Sequence, residues 1–417
     1  MSTSLSLGKV DEGKMPSDKS AFLSVYHAVL DTALKAKNEF RDEGNNSWKP
    51  FSEVSGTGIR DLQQFLKDTG FMPKANVDGV FGYATQAAVR LFQEYIRTVE
   101  GDTSIGAPDG VVGDGTWGQI EKWKQTKQGK PEYKCEWARF SADNPTPEFN
   151  KWISLLEKAK QHYLANPSPI LALIDQHDKS SDTRKVKDWD TSSRSIHLIG
   201  IRRAQETQAG VRVKTQKRMR ANDDLFVLLI NGMVFKFWGS TDPNPDVADR
   251  ADVPFIIEGQ HDYKFGWHKV KDATLVYRAL RPKTVGVLVF RDINKDSSLT
   301  ETDIANGLDK NPNDSINIHW SGIGSYNYSA GCQVLAGKSY INHKGEVVNC
   351  SKYAATKYSE LGGTKGRGAY NMFADLVLSL APEGVQSLVY TLGRDETLFL
   401  SDDWDENYVS NTLKKMM

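Results

Sequence analysis

Apolar and polar positions change period along this chain, and the change marks its architecture. Across residues 56–124 the apolar residues recur three and four apart. Leu62, Phe65 and Leu66 predict a helix over residues 59–69, and Ala88, Val89, Leu91, Phe92 and Ile96 predict another over residues 85–99. Residues 20–43 carry Phe22, Val25, Tyr26, Val29, Leu30 and Leu34 at the same spacing and read as an amphipathic helix packing on its own domain. Residues 145–163 are a further helix, with Pro147 suited to its first turn and a stripe of Phe149, Trp152, Ile153, Leu155, Leu156 and Ala159; Pro167 and Pro169 end it. Residues 169–175 are short and apolar, and the charged residues 178–192 read as a loop.

From about Ile196 the period shortens to that of strands. Residues 197–202 form one. Residues 225–230 and 233–238 flank Asn231-Gly232, the dipeptide of a type I′ hairpin. Residues 255–257, 275–278 and 284–291 are further strands, residues 369–380 a late helix, and residues 386–392 a closing strand. Helices first and short, dense strands afterwards predict an α+β multidomain chain whose C-terminal part is mainly β and sandwich-like.

The first helical region holds an internal echo. Asp78-Gly79-Val80-Phe81-Gly82-Tyr83-Ala84-Thr85 recurs as Asp109-Gly110-Val111-Val112-Gly113-Asp114-Gly115-Thr116-Trp117. Each copy reads as an Asp-Gly turn feeding a helix. Together with Leu62-Gln63 and the run from Ala88 to Gln93, these copies resemble the peptidoglycan-binding domain 1 family, a small three-helix module, over nearly its whole length. The resemblance implies binding of peptidoglycan glycan or stem peptide. Asp78, Tyr83, Asp109 and Trp117 near the turns are the candidate contacts, with Phe81; Phe81 and Trp117 read more readily as core. The expected organisation is an N-terminal extension (1–50), the module (51–125), a linker and helical spacer (126–195), and a catalytic domain (196–417).

Composition narrows the function classes. The 417 residues balance 53 basic against 53 acidic side chains, so bulk charge points to neither nucleic acid nor membrane. Three cysteines do not make a disulfide framework; Cys135 and Cys350 read as structural, with a Cys332–Cys350 bridge left open. The N-terminal residues are polar and lack an apolar signal core, and no apolar run has the length of a membrane span. The expectation is synthesis in the cytoplasm without a Sec signal, and action in the periplasm or cell wall of a target cell after delivery or lysis.

The candidate chemistry lies in residues 316–337, INIHWSGIGSYNYSAGCQVLAG. His319 sits at a predicted strand end, thirteen residues before Cys332, which follows a glycine. A thiol beside an imidazole can be held as a thiolate–imidazolium pair for acyl transfer. Against this stands a small buried cysteine and a loop histidine, but a stretch rich in Gly, Ser, Asn and Tyr is poor core material. The pattern resembles the signature of the L,D-transpeptidase (YkuD-like) domains. The resemblance implies Cys332 as nucleophile, His319 as base, Ser329 and Gly331 in the turn, and backbone N–H groups around Cys332 as oxyanion donors. Ala330 stands where that family carries a second histidine, Val334 where Asn or Arg is common, and Trp320 where a serine is usual.

Other residues are candidates for lining a cleft: Trp320, Ser321 and Gln333 beside the pair, and Tyr263, Lys264 and His268 from an aromatic, titratable stretch. Arg291 is a candidate carboxylate clamp or a structural ion pair. Asp292, Asn294, Asp296, Ser298 and Asp303 occupy positions one, three, five, seven and twelve of a segment resembling an EF-hand or dockerin-type calcium loop, with Ser297 in place of glycine. A solvated acidic loop is the alternative. No cofactor is otherwise required.

Two readings follow. One is a cysteine enzyme on peptidoglycan stem peptides, an L,D-carboxypeptidase, endopeptidase or L,D-transpeptidase, acting as an antibacterial effector or phage lysin. Its partners would be peptidoglycan and, for an effector, an immunity protein or secretion-machine component. The other is a non-catalytic peptidoglycan-binding protein with a degenerate catalytic domain. A zinc amidase fused to a binding module is a distant third, since no HExxH motif or convincing His/Asp spacing is present.

Overall fold

The computed structural model describes residues 4–15, 39–43, 47–74, 76–203, 205–206, 212–213, 216–247, 252–269, 275–296, 298–381, 387–394 and 406–417. Three helices, α1 (Gly58–Asp68), α2 (Tyr83–Thr98) and α3 (Asp114–Lys127), build the first unit around Phe65, Phe71, Phe92, Tyr95 and Trp123. Their rings meet edge to face, Phe65 and Phe71 each 5.4 Å from Phe92.

The sequence echo becomes a repeated hydrogen-bond network. Buried Gln63 donates from Nε2 to Asp78 Oδ1, the Val80 carbonyl and Thr85 Oγ1 at 2.9, 3.0 and 3.1 Å. Gln93 repeats this with Asp109 Oδ1, the Val111 carbonyl and Thr116 Oγ1 at 3.0, 3.0 and 3.1 Å. One glutamine therefore satisfies each Asp-Gly turn and the helix start behind it, as buried polar groups require.

The N-terminal segment belongs to this unit. Lys9–Asp11 runs parallel to Ser52–Val54, and both carboxylate oxygens of Asp11 accept N–H groups of the first turn of α1, from Ile59 and Arg60. Glu39–Asp42 is a strand paired with Ser47–Pro50, so the last residues of the expected 20–43 helix are extended. The rest of that expectation, residues 16–38, lies outside the described residues.

Among the described residues the C-terminal region is built on a closed sheet instead of the expected sandwich, with Pro254–Ile256 and Val289–Arg291 paired apart from it. Its ring strands are β1 (His197–Arg202), β2 (Asp224–Ile230), β3 (Met233–Ser240), β4 (Gly259–His268), β5 (Tyr277–Pro282), β6 (Ile318–Trp320), β7 (Gln333–Leu335) and β8 (Ser387–Arg394). The order is β7-β6-β5-β4-β8-β1-β2-β3, and β3 pairs back onto β7. The β8–β1 and β6–β7 pairs are parallel; the other ring pairs are antiparallel. Closure depends on Gly239: a Cβ there would overlap the Val334 carbonyl across the β3–β7 contact. The β2–β3 hairpin turns through Asn231 (φ 47°) and Gly232 (φ 74°), the two left-handed residues of the predicted type I′ turn.

Both sheet faces are buried, which is why a two-sheet sandwich is unnecessary. Along β2, Phe226, Leu228 and Ile230 enter one core with the helical unit and α6 (Ala369–Leu380), whose helix coincides with the one predicted. Leu225, Val227 and Leu229 enter a second core with α4 (Pro147–Ala165), α5 (Pro169–Gln176) and α7 (Glu406–Met416). The expected spacer is thus a covering layer, because its apolar stripe needs a sheet to bury it.

A buried ion network joins the first unit to the sheet. Arg90 of α2 donates through Nε and Nη2 to Asp375 of α6 at 2.7 and 2.8 Å. Arg278 of β5 donates to the same carboxylate at 2.8 Å and to Glu43 at 2.9 Å. Tyr83 packs its ring 5.2 Å from Trp267. Among the described residues no helix is long and apolar enough to cross a membrane.

Asp375 is 1% exposed and holds two arginines. Its removal leaves both guanidinium groups without their shared acceptor, so Asp375→Ala is expected to destabilise the protein by about 3–5 kcal/mol. Urea unfolding followed by circular dichroism measures this; a loss under about 1 kcal/mol contradicts a structural role for the seam.

Candidate functional site

The parallel pairing of β6 with β7 creates the site. Its register sets Ile318 opposite Gln333 and His319 opposite Val334, which brings Cys332, at the entry to β7, beside Asn317, at the entry to β6. The Asn317 N–H points at Cys332 Sγ at 3.3 Å, and the thiol faces the Ser315 carbonyl at 3.5 Å. Gly331 just before it has φ 157°, and a Cβ there would come within 2.8 Å of Pro254. Ser329 closes the turn, its hydroxyl donating to the Cys332 carbonyl at 2.7 Å and accepting the Gly331 N–H at 3.2 Å.

His319 is 5% exposed. Its Nδ1 donates to the Trp320 carbonyl at 2.8 Å and lies 3.0 Å from Tyr277 Oη. A carbonyl can only accept, so the shorter of these contacts calls for the Nδ1–H tautomer, which leaves Nε2 as the acceptor. His268, at the end of β4, stacks on it with centroids 3.9 Å apart and rings 16° from parallel. Among the described residues, His268, His319 and Cys332 are the one group of three His, Cys, Asp or Glu side chains whose donor atoms all lie within 4.8 Å of one another. They open into a cavity of about 540 Å³ whose wall includes Trp320, Ser321, Ser329, Tyr358 and the lysines Lys269 and Lys357.

Burial favours the neutral form of both partners. Burial pushes the Cys332 thiol up to about 11, opposed by the Asn317 N–H and the charges of Arg281 and Lys269. Burial pulls His319 down to about 4; the Trp320 carbonyl opposes this and Lys269 adds to it. His268 is held well below the usual imidazole range by burial first and by neighbouring His319 and Lys269 next. Burial thus opposes the ion pair expected from sequence, since desolvation penalises both charges.

The remaining candidates fall elsewhere. Tyr263 is buried, its hydroxyl donating to the Ile316 carbonyl at 3.0 Å. Gln333 is buried, donating to the Thr241 carbonyl and accepting from Tyr390. Arg291 is ion-paired to Asp309 at 2.6 Å. These three, and Lys264, do not line the cavity, so Tyr263, Arg291 and Gln333 are corrected from cleft residues to structural ones.

In the calcium-like segment Asp303 is the reciprocal partner of Thr300 in a capping box at the helix Glu301–Ala305. Asp292 Oδ1 accepts the Asp296 N–H at 3.2 Å, and Asn294 donates to Asp296 at 3.1 Å. In the first unit, Asp78 and Asp109 hold their own turns through Oδ1. Tyr83 is buried with its hydroxyl on the Arg41 backbone, so it is an interdomain packing residue and not a surface contact. Trp117 is half-buried against the core.

Sequence reasoning passed over Tyr277 and Asn317. Asn317 stands two residues before His319 and so shares its strand face, the one local signal that pointed to it. Tyr277 comes from β5 and carries no local signal.

Comparison with known proteins fits the first unit. Residues 55–97 match the family described as putative peptidoglycan binding domain. The chain carries a peptidoglycan-binding module. No curated protein matches. One solved structure, a fused Zn-dependent amidase/peptidase/peptidoglycan-binding domain-containing protein from Clostridium acetobutylicum, aligns over 81% of this chain and 96% of its own at 12% identity. Its TM-score of 0.21 is too low to carry an argument about fold or activity.

Alkylation tests this environment. Iodoacetamide is expected to modify Cys332 alone in the folded protein, slowly at neutral pH and about tenfold faster per pH unit toward its value near 11, because only the thiolate reacts. Cys135 and Cys350 are buried and should label only after unfolding. Peptide mass spectrometry reads the sites; equal labelling of all three cysteines in the native state contradicts the geometry.

Proposed function

We propose that this protein is a peptidoglycan-targeting cysteine enzyme that acts on stem peptides through an acyl-enzyme on Cys332. The observation that carries the reading is the convergence of Cys332, His319 and His268 on one cavity in a chain that also holds a peptidoglycan-binding module. The tautomer of His319 supports the role of base: Nδ1 is committed to the Trp320 carbonyl, and Nε2 is the nitrogen that accepts a proton.

In this reading, the Cys332 proton passes to His319 Nε2 as sulfur bonds to the substrate carbonyl carbon. Sulfur attack and proton transfer are concerted, because neither charged partner is stable beforehand. The Gly331 N–H is taken by Ser329 and the Gln333 N–H by the Asn317 carbonyl. That leaves the Cys332 N–H as oxyanion donor. Collapse breaks the peptide bond, and the leaving amine takes the proton from His319. The thioester is then resolved by water, giving an L,D-carboxypeptidase or endopeptidase, or by an amine, giving a transpeptidase.

Tyr277 steadies the base from behind through its 3.0 Å contact with Nδ1. Lys269 and Lys357 on the cavity wall suit the carboxylates of stem peptides. The delivery expected of such an enzyme is as a lysin or an antibacterial effector, the latter with an immunity protein in its producer.

Mass spectrometry of tetrapeptide monomers and crosslinked dimers tests the reading. Wild type should shorten or exchange stem peptides, and Cys332→Ala and His319→Ala should each lose about 1000-fold or more in rate. Both variants should still sediment with sacculi. If wild type leaves every muropeptide unchanged while binding sacculi, the enzyme reading fails and the non-catalytic binding protein takes its place.

A further inference from the structure

The three side chains that converge on the cavity are also a ligand set. Two imidazoles and a thiol are the donors that borderline-soft divalent metals prefer. Their donor atoms already lie within 4.8 Å of one another. A tetrahedral zinc ion, with Zn–N of about 2.0 Å and Zn–S of about 2.3 Å, needs donors about 3.3–3.6 Å apart, so the set is completed by a closing shift of about 1 Å together with a turn of the two rings out of their stack, which lets both in-plane lone pairs meet at the ion.

The outer contacts favour this use. His319 Nδ1 is held by the Trp320 carbonyl at 2.8 Å, with Tyr277 at 3.0 Å, which leaves Nε2 as the ring nitrogen available to a metal. His268 Nδ1 lies 3.0 Å from the Asn317 side-chain amide. The other amide atom, Asn317 Oδ1, is buried without a hydrogen-bond partner. No bond at that end holds the amide in one orientation; with the amide turned over, Oδ1 accepts from His268 Nδ1–H, and His268 Nε2 becomes a free donor to a metal. Each imidazole would thus be oriented by an oxygen behind it, the arrangement found behind most metal-bound histidines. All three side chains line the cavity of about 540 Å³, which leaves room for an exchangeable fourth ligand.

We infer that His268, His319 and Cys332 form a zinc site, and that zinc holds the enzyme in a reversible off-state. The metal replaces the thiol proton, which is released to solvent, and forms a Zn–S bond without any change of oxidation state. The off-state rests on the cysteine-enzyme reading, because sulfur committed to zinc cannot attack a carbonyl and His319 Nε2 bound to zinc cannot take a proton. The metal site itself does not rest on that reading.

The test uses the full chain, stripped with a chelator and then titrated with Zn²⁺ by calorimetry and with Co²⁺ as a spectroscopic probe. The expected result is one metal per chain, release of a proton seen as a buffer-dependent binding enthalpy, and a thiolate-to-cobalt charge-transfer band. Cys332→Ser should lose that band. His268→Ala should weaken zinc binding by about 100-fold or more, with thermal unfolding of the metal-free variants confirming that they fold. Stem-peptide processing should fall with zinc occupancy and return on chelation.

Absence of stoichiometric binding overturns the site. So does a cobalt spectrum without the thiolate band in wild type, or binding unaffected by both substitutions. Zinc binding with a rise in activity overturns the off-state and makes the protein a metallohydrolase. A protein that shows no processing with or without metal but still gives the thiolate band keeps the metal site and loses the cysteine-enzyme reading, so the two failures are separable.

Discussion

The three-residue strand Gln333–Leu335 is the piece on which the C-terminal region depends. It is hydrogen-bonded on one edge to Ile318–Trp320 and on the other to Gly239 and Ser240. Two paired edges leave no open strand at the closure, which removes the exposed backbone that an unclosed sheet would present. The same pairing fixes the register that places Cys332 beside Asn317. Tyr390 adds a bond to Gln333 from a strand that is not its neighbour in the ring, at 2.9 Å. Shape and site geometry therefore rest on one short element.

Desolvation is the dominant electrostatic fact at the site. No carboxylate stands among the groups that set the resting state of Cys332 or His319; the nearby charges are the cations Lys269 and Arg281. Cations stabilise a thiolate and oppose an imidazolium, so they cannot create the ion pair on their own. A neutral thiol beside two neutral imidazoles is protected from casual ionisation. It is also the donor set a divalent metal would complete, which ties the two chemistries to one physical cause.

The peptidoglycan-binding module is built into the barrel instead of hanging from a linker. Arg90, Asp375, Arg278 and Glu43 connect α2, α6, β5 and the strand at Glu39–Asp42 in one buried network. Such networks add little net stability but strongly disfavour separation, since a buried charge without its partner is costly. Beside this seam lies a second cavity of about 380 Å³, lined by both units, with Asp109 from the second Asp-Gly turn on its wall. The segment that follows Cys350 walls both cavities, with Tyr353 and Lys365 at the seam and Thr356, Lys357 and Tyr358 at the cysteine site. Wall binding and the candidate chemistry are held in a fixed relation by packing.

The sequence by itself determined the parts whose cause is local. Two Asp-Gly turns in register with helical stripes specified the module, because turn residues and amphipathic spacing are short-range signals. Asn231-Gly232 specified the hairpin, and the Gly-Ser-rich setting of Cys332 singled out the cysteine with its upstream histidine. Only the tertiary structure decided which surfaces the stripes meet. It closed the sheet where alternation allowed a sandwich, laid residues 147–176 over it, and turned Tyr83, Tyr263, Gln333 and Arg291 from candidate contacts into packing or pairing residues. It also brought His268 onto His319 and Tyr277 behind it, across gaps of 51 and 42 residues in the chain. Periodicity reports that a face is buried. It cannot report against what, because that depends on pairings between segments distant in sequence, and the cysteine site is made of such pairings.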